Sequence, residues 1–240
     1  MKHTSRLLIA DSHAFIAEAC RQMLESDFNV IGIFTDGRSL VDAALNLKPD
    51  GIILEVTLPQ LNGLDAAERI KRKLPSAKLI FLTSIAEADA AAEAFRSGAA
   101  AYMLKHSGIE EFRMAIRRVM RGESYLSPLI ARETVDFILH PPSHTTLGRR
   151  LTQREAEVLQ LLSEGCTMKQ VAETLAIAPG TVAFHKYRMM EKLGINTNAG
   201  LIQYAMKKYM TPTHDTWAFT DWSGMRSMDV VEGLRSALTA

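Results

Sequence analysis

Four polar residues each follow a short, mostly apolar run in the first half of this chain. Asp11 follows Leu7–Ala10, Glu55 follows Ile52–Leu54, Thr83 follows Lys78–Leu82 and Lys105 follows Ala100–Leu104. Such runs, bounded by turn residues, read as strands buried on both faces of a parallel sheet. Sheets of this kind place their chemistry just beyond the carboxyl ends of the strands. Two carboxylates, a hydroxyl and an ammonium are therefore expected to gather at one rim. Glu55 lies within Pro49–Gly63, PDGIILEVTLPQLNG, where a catalytic or switching carboxylate would sit, and Pro59, Asn62 and Gly63 break the backbone after it.

The elements that must hold these residues follow from the spacing. Val30–Phe34 supplies a fifth strand. Helices are expected over Phe15–Leu24, Leu40–Leu47, Leu64–Leu74, Ala88–Arg96 and Ile109–Arg121, with Gly98 as a C-terminal stop. Five strands alternating with five helices imply a doubly wound α/β fold with a five-stranded parallel sheet and right-handed crossovers.

From Leu151 the pattern is all helical. Thr152 with Glu155 and Thr167 with Gln170 are capping boxes opening helices to Leu162 and about Leu175. Ile177–Gly180 is a tight turn, Thr181–Leu193 a third helix stopped by Gly194, and Thr197–Lys208 a fourth. Two short helices joined by a tight turn, the second carrying Lys and Arg, make a helix-turn-helix. The expected division is 1–122, a linker over 123–148, 149–210, and a tail over 211–240. The linker carries a short helix, Leu129–Leu139, and His140–Ser143 reads as a flexible or extended joint.

Composition sets the class. The 240 residues are 47% hydrophobic and 23% charged, with net charge +1, ordinary for a globular protein with real cores. The one clearly basic segment is Arg149–Thr211, with nine Lys and Arg against five Asp and Glu. That excess permits nucleic-acid binding, as it permits a merely solvated helical face. Cys20 and Cys166 match no metal or redox spacing and read as small hydrophobes in a reducing compartment. Leu7–Ala10 is too short for a signal peptide and no apolar run approaches a membrane span, so a cytoplasmic protein is expected. No nucleotide-binding glycine motif or nucleophile–base pair points to an enzyme.

Over Arg6–Arg121 the pieces LLIADSH, DGIILEVTLPQLNG, KLIFLTS and AAAYMLKHS resemble a response-regulator receiver domain. The resemblance implies a pocket in which an aspartate accepts a phosphoryl group from a histidine kinase. Two acids after the first strand help hold Mg²⁺, a Thr or Ser and a Lys contact the phosphoryl oxygens, and an aromatic follows the switch. Asp11, Thr83, Tyr102 and Lys105 match those positions. Ser12 stands where a second acid is usual, and Glu55 at the acceptor position. The added methylene moves the carboxylate by about 1.5 Å, and misplacement of that order costs about a hundredfold in rate. Ser12 weakens a site for Mg²⁺, which wants near-octahedral oxygen ligands. No cofactor is expected, and Glu55 is expected to pair with Lys105 in a degenerate pocket.

Leu151–Lys208 resembles the LuxR-type DNA-binding domain that follows receivers in the NarL/FixJ class, on LTQREAEVLQLLSEG, KQVAETLAI and GTVAFHKYRMMEKLGI. Helical spacing puts Val182, His185, Met189 and Leu193 on a packed face. Ala183, Phe184, Tyr187 and Arg188 point elsewhere, toward a major groove if the helix enters one. Lys169, the Thr181 hydroxyl, Lys186, Arg188 and Lys192 are candidates for phosphate contacts, and His185 for packing or a phosphate. Ala183 and Phe184 suit thymine methyls, and Tyr187 a base edge or phosphate. Ala178 replaces the family's capping Ser, a change typically costing about 1 kcal/mol.

The expectation is an atypical, phosphorylation-independent response regulator that binds double-stranded promoter DNA as a homodimer, with RNA polymerase as a further partner and a histidine kinase doubtful. The alternatives are a conventional phosphorylation-dependent regulator and a protein-binding adaptor or anti-activator. The tail holds Trp217 and Trp222, and Val230, Val231, Leu234 and Leu238 suggest an amphipathic end that packs on its own chain.

Overall fold

Alternation along the strands decides which face each helix covers. The computed structural model describes residues 4–139 and 151–209. The joint at His140–Ser143 and the tryptophan-bearing tail lie outside the described residues. The strands β1 (Arg6–Ala10), β2 (Asn29–Phe34), β3 (Gly51–Leu54), β4 (Lys78–Thr83), β5 (Ala99–Leu104) and β6 (Tyr125–Leu126) form one parallel sheet in the order β2-β1-β3-β4-β5-β6. Leu8, Ala10, Ile52, Leu54, Phe81, Tyr102 and Leu104 enter one core. Their neighbours Leu7, Ile9, Ile53, Ile80, Leu82 and Met103 enter the other, the period-two pattern of strands buried on both faces.

Helices α2 (Gly37–Leu47), α3 (Gly63–Lys73), α4 (Ala88–Arg96) and α6 (Pro128–Leu139) supply residues to the first core; α1 (Ala14–Leu24) and α5 (Ile109–Met120) supply the second. Local chemistry starts two of them. Asp36 accepts hydrogen bonds from the amides of Arg38 and Ser39 ahead of α2, and Asn62 accepts one from Asp65 ahead of α3. β2 lies at a sheet edge and pairs, among the described residues, only with β1, in a register that slips between Leu7 and Leu8.

The sheet has six strands, not the five expected. Tyr125 and Leu126 pair with Ala101 and Tyr102, and Ile130 packs into the core at 4% exposure. The stretch after Gly122 thus extends the sheet and covers α4 with α6 before the chain leaves it.

The remaining helices are α7 (Gln153–Ser163), α8 (Met168–Leu175), α9 (Pro179–Leu193) and α10 (Asn198–Tyr209). They close on a core that includes Val158, Leu161, Val171, Leu175, Val182, Met189, Leu193, Leu201 and Ala205. Both expected capping boxes are formed. α9 begins at Pro179, two residues before the expected start, because proline needs no amide partner in a first helical turn. No side chain caps it, and Gly194 ends it at φ 69°. Among the described residues no helix is long and apolar enough to cross a membrane.

Candidate functional site: the strand-end pocket and the recognition helix

The carboxyl ends of β1, β3 and β5 converge on one ammonium. Lys105 Nζ lies 2.6 Å from Asp11 Oδ2 and 2.7 Å from Glu55 Oε2. Asp11 is 3% exposed and Glu55 4%. Each carboxylate has a second bond on its other oxygen: the amide of His13 donates to Asp11 Oδ1 at 2.8 Å, and the amide of Val56 to Glu55 Oε1 at 2.6 Å. Burial works against the charge on Lys105, but Glu55 and Asp11 outweigh it and hold its pKa above the ordinary lysine value.

Thr83 and Tyr102 meet at a residue that sequence reasoning missed. The Thr83 hydroxyl accepts from the amide of Ile85 at 3.1 Å, and the Tyr102 hydroxyl donates to the carbonyl of Ile85 at 2.9 Å. Both side chains are wholly buried, and burial, then Glu55, pushes the Tyr102 pKa well up. Ile85 lies just past β4 and carries no polar side chain, so no motif marks it. Ser12 is not part of this cluster: it is exposed, with its hydroxyl 3.3 Å from His13 Nδ1. Cys20 is buried, and burial with Asp11 nearby raises its thiol pKa to about 11, an unreactive setting.

On α9 the inward residues are Val182, Met189, Met190 and Leu193. His185 is only half-buried, with its ring edge toward Phe184. Thr181, Phe184, Tyr187 and Arg188 are exposed, as is Lys169 on α8; Ala183, Lys186 and Lys192 are half-buried. Phe184 and Tyr187 are 56% and 63% exposed, large apolar surface on a helix that otherwise turns its apolar side inward. Each ring carries a cation: the Arg188 guanidinium sits 5.7 Å from the Phe184 ring and Lys186 Nζ 5.4 Å from that of Tyr187. Lys192 reaches inward, 3.4 Å from the capping-box Glu155, which also lies 3.8 Å from Arg188 Nε. Burial would raise the Glu155 pKa, but bonds from Thr152 and the charge of Lys192 hold it below the usual value. Two buried polar residues of α7, Glu157 and Gln160, each 4% exposed, were also missed; on an amphipathic helix such residues read as solvent-facing.

Comparison with known proteins agrees with this geometry. Residues 7–117 match the response regulator receiver domain, and residues 149–205 match the luxR family of bacterial regulatory proteins. The response regulator GacA of Pseudomonas aeruginosa is 29% identical over 207 residues, covering 85% of this chain and 97% of GacA. A LuxR-family two-component response regulator from Aurantimonas superposes with a TM-score of 0.54 at 26% identity, over 57% of this chain and 99% of that one. A structure of two RcsB dimers bound to two parallel DNAs gives a TM-score of 0.53 at 23% identity, over 88% of this chain and 100% of that one. The chain is therefore a response regulator of the NarL/FixJ type, a receiver domain followed by a LuxR-type helix-turn-helix domain.

Proposed function

We propose that this protein is a transcriptional regulator that binds promoter DNA through α9 as a dimer, with a receiver pocket closed by its own ion pairs and not by a phosphoryl group. The observation that carries the second half is Lys105 bonded at once to Asp11 and Glu55. In the receiver family that lysine contacts the phosphoryl oxygens; here the Glu55 carboxylate, one methylene longer than aspartate, already occupies it. Tyr102, held inward on the Ile85 carbonyl, fits a switch set in one position. The pocket does not fit Mg²⁺: both acids are engaged by Lys105 and backbone amides, and Ser12 offers an exposed hydroxyl in place of a third. Incubation with a small phosphodonor and Mg²⁺ should leave the intact mass unchanged. A stoichiometric phosphoryl adduct on Glu55 would return the protein to the conventional, kinase-driven class.

The DNA half rests on the match to the LuxR family and on the exposed face of α9. RcsB dimers bind DNA; in this chain the reading takes α10, where Met206 is 48% exposed, as the dimer surface. Acting on promoters places the protein in the cytoplasm, with RNA polymerase as a partner. Lys169, Thr181, Lys186 and Arg188 are available to phosphates. Lys192, tied to Glu155, contributes through the stability of the helix end. Ala183, Phe184 and Tyr187 present methyl and ring surface, whose natural major-groove counterpart is the thymine methyl. Affinity should fall steeply with salt. At a selected site, each contacted thymine replaced by uracil should weaken binding about fourfold, the worth of one buried methyl. Phe184→Ala should remove that sensitivity at its own base. Binding that ignores both salt and sequence would favour the adaptor reading.

A further inference from the structure

The first helix of the DNA-binding domain holds the receiver by the loop that follows Glu55. The Gln160 side chain donates to the carbonyl of Leu58 at 2.9 Å and accepts from the amide of Asn62 at 2.8 Å. Its remaining N–H bond goes to Glu164 at 2.8 Å. Glu164 in turn accepts from the amide of Gln60 at 3.0 Å. Gln60 adopts a left-handed backbone, φ 63°, which a residue with a side chain takes only when its surroundings hold it there. Beside this loop, Glu157 pairs with Arg69 of α3 and with Arg38 of α2 at 3.3 Å, while Arg154 of its own helix approaches at 2.8 Å. Three guanidiniums thus share one carboxylate that is 4% exposed. At the rim Arg72 donates to Gln153 at 3.2 Å.

We propose that α7 is a docking surface built for the receiver's β3–α3 loop, and that docking through it leaves the recognition helix free to bind DNA. The polar character of the contact supports a specific partner. A buried glutamine with all three bonds made, two of them to receiver backbone, recognises a loop shape, not an apolar patch. A carboxylate buried against two receiver arginines makes the fit selective, because any other surface that covered Glu157 without cations would leave a buried charge unpaired. None of these contacts uses α9, whose Phe184, Tyr187 and Arg188 stay exposed. The route from pocket to helix is also short. The Glu55 carboxylate holds the Val56 amide, the Val56 carbonyl accepts from Leu58 and Gly63 at 3.2 and 2.7 Å, and Leu58 and Asn62 are the residues that Gln160 grips.

Amide exchange on the full-length chain reads the docking directly. Among the described residues, the amides of Gln60 and Asn62 find their hydrogen-bond acceptors only on Glu164, the residue that ends α7, and on Gln160 within it. They should exchange about tenfold or more faster in Gln160→Ala and in Glu157→Gln, while the rest of the β3–α3 region changes little. Arg38→Ala with Arg69→Ala, which leaves α7 intact, should give the same release from the receiver side. The dissociation constant for a selected DNA site should stay within about threefold in every variant, as expected of sites that share no contact. Equal exchange in wild type and all variants would overturn the docking surface. DNA binding tightened about tenfold or more on release would overturn the claim that α9 is free. The affinity arm rests on the DNA-binding reading above. Absence of salt-dependent binding in every form would end that reading, and exchange alone would then decide the docking.

Discussion

Lys105→Met should cost the receiver about 3–5 kcal/mol, because among the described residues Lys105 is the one lysine or arginine that pairs with both buried carboxylates, Asp11 and Glu55. For a domain of this size that is a fall in Tm of about 10–20 °C, measurable by thermal unfolding at neutral pH. Glu55→Gln should cost less, about 1–3 kcal/mol, since Lys105 keeps Asp11 and the glutamine can still accept from Val56. The pH dependence has a definite sign. The folded pKa of Lys105 is raised above its ordinary 10.5. Its contribution is therefore fully present below the unfolded value and is lost only as pH climbs past 10.5 through the folded one. Stability lost near neutral pH in the wild type must come from another group. A Tm for Lys105→Met within about 3 °C of wild type would mean that water, not the ion pair, carries these carboxylates.

Gly63→Ala should be as damaging, at about 3 kcal/mol or more, for a reason that has nothing to do with a glycine conformation. A methyl at this first residue of α3 would overlap the carbonyl oxygen of Glu55, and beyond it the backbone of Val56. Neither neighbour is a flexible side-chain end that can swing away, so the cost reaches the upper range of overpacking. Gly37 faces the same problem from the other side of the loop, where its methyl would overlap the Leu61 carbonyl. The β3–α3 loop is thus pinched between two glycines, and Gly63→Ala displaces it at the point where Glu55 leaves the sheet. Chemical denaturation should show the loss. Amide exchange should place it at 55–63 first, before the rest of the sheet opens.

The parallel sheet was legible because each long strand is a dense apolar run ending in a turn, and the helices because of their apolar spacing, with caps written in Thr152 and Thr167; Asp36 and Asn62, which read only as breaks in the chain, cap α2 and α3. The pairing of Glu55 with Lys105 could be anticipated because strand ends in such a sheet must converge. Ser12 could not be placed: a hydroxyl fits equally in a pocket and on a surface, and here the surface won. β6 was hidden because two residues, Tyr125 and Leu126, carry no periodicity; only the sheet edge beside β5 makes them a strand. Glu157 and Gln160 were hidden for the opposite reason. They fit the polar side of α7, and nothing local says that a second domain will cover them.

The β2 edge, which has no strand on its outer side among the described residues, has a consequence for how the protein behaves in the tube. Asn29–Phe34, NVIGIF, contains no charge and no proline, the two features that usually blunt a sheet edge. Its neighbour β1 satisfies one side of its backbone, and the register slip at Leu7 and Leu8 twists the pairing only at its start. Any partial unfolding that loosens this edge offers a short, uncharged, β-prone template to other chains. Colloidal losses on concentration or storage should therefore begin at β2, at the far edge of the sheet from β6, while the pocket and the recognition helix are still intact.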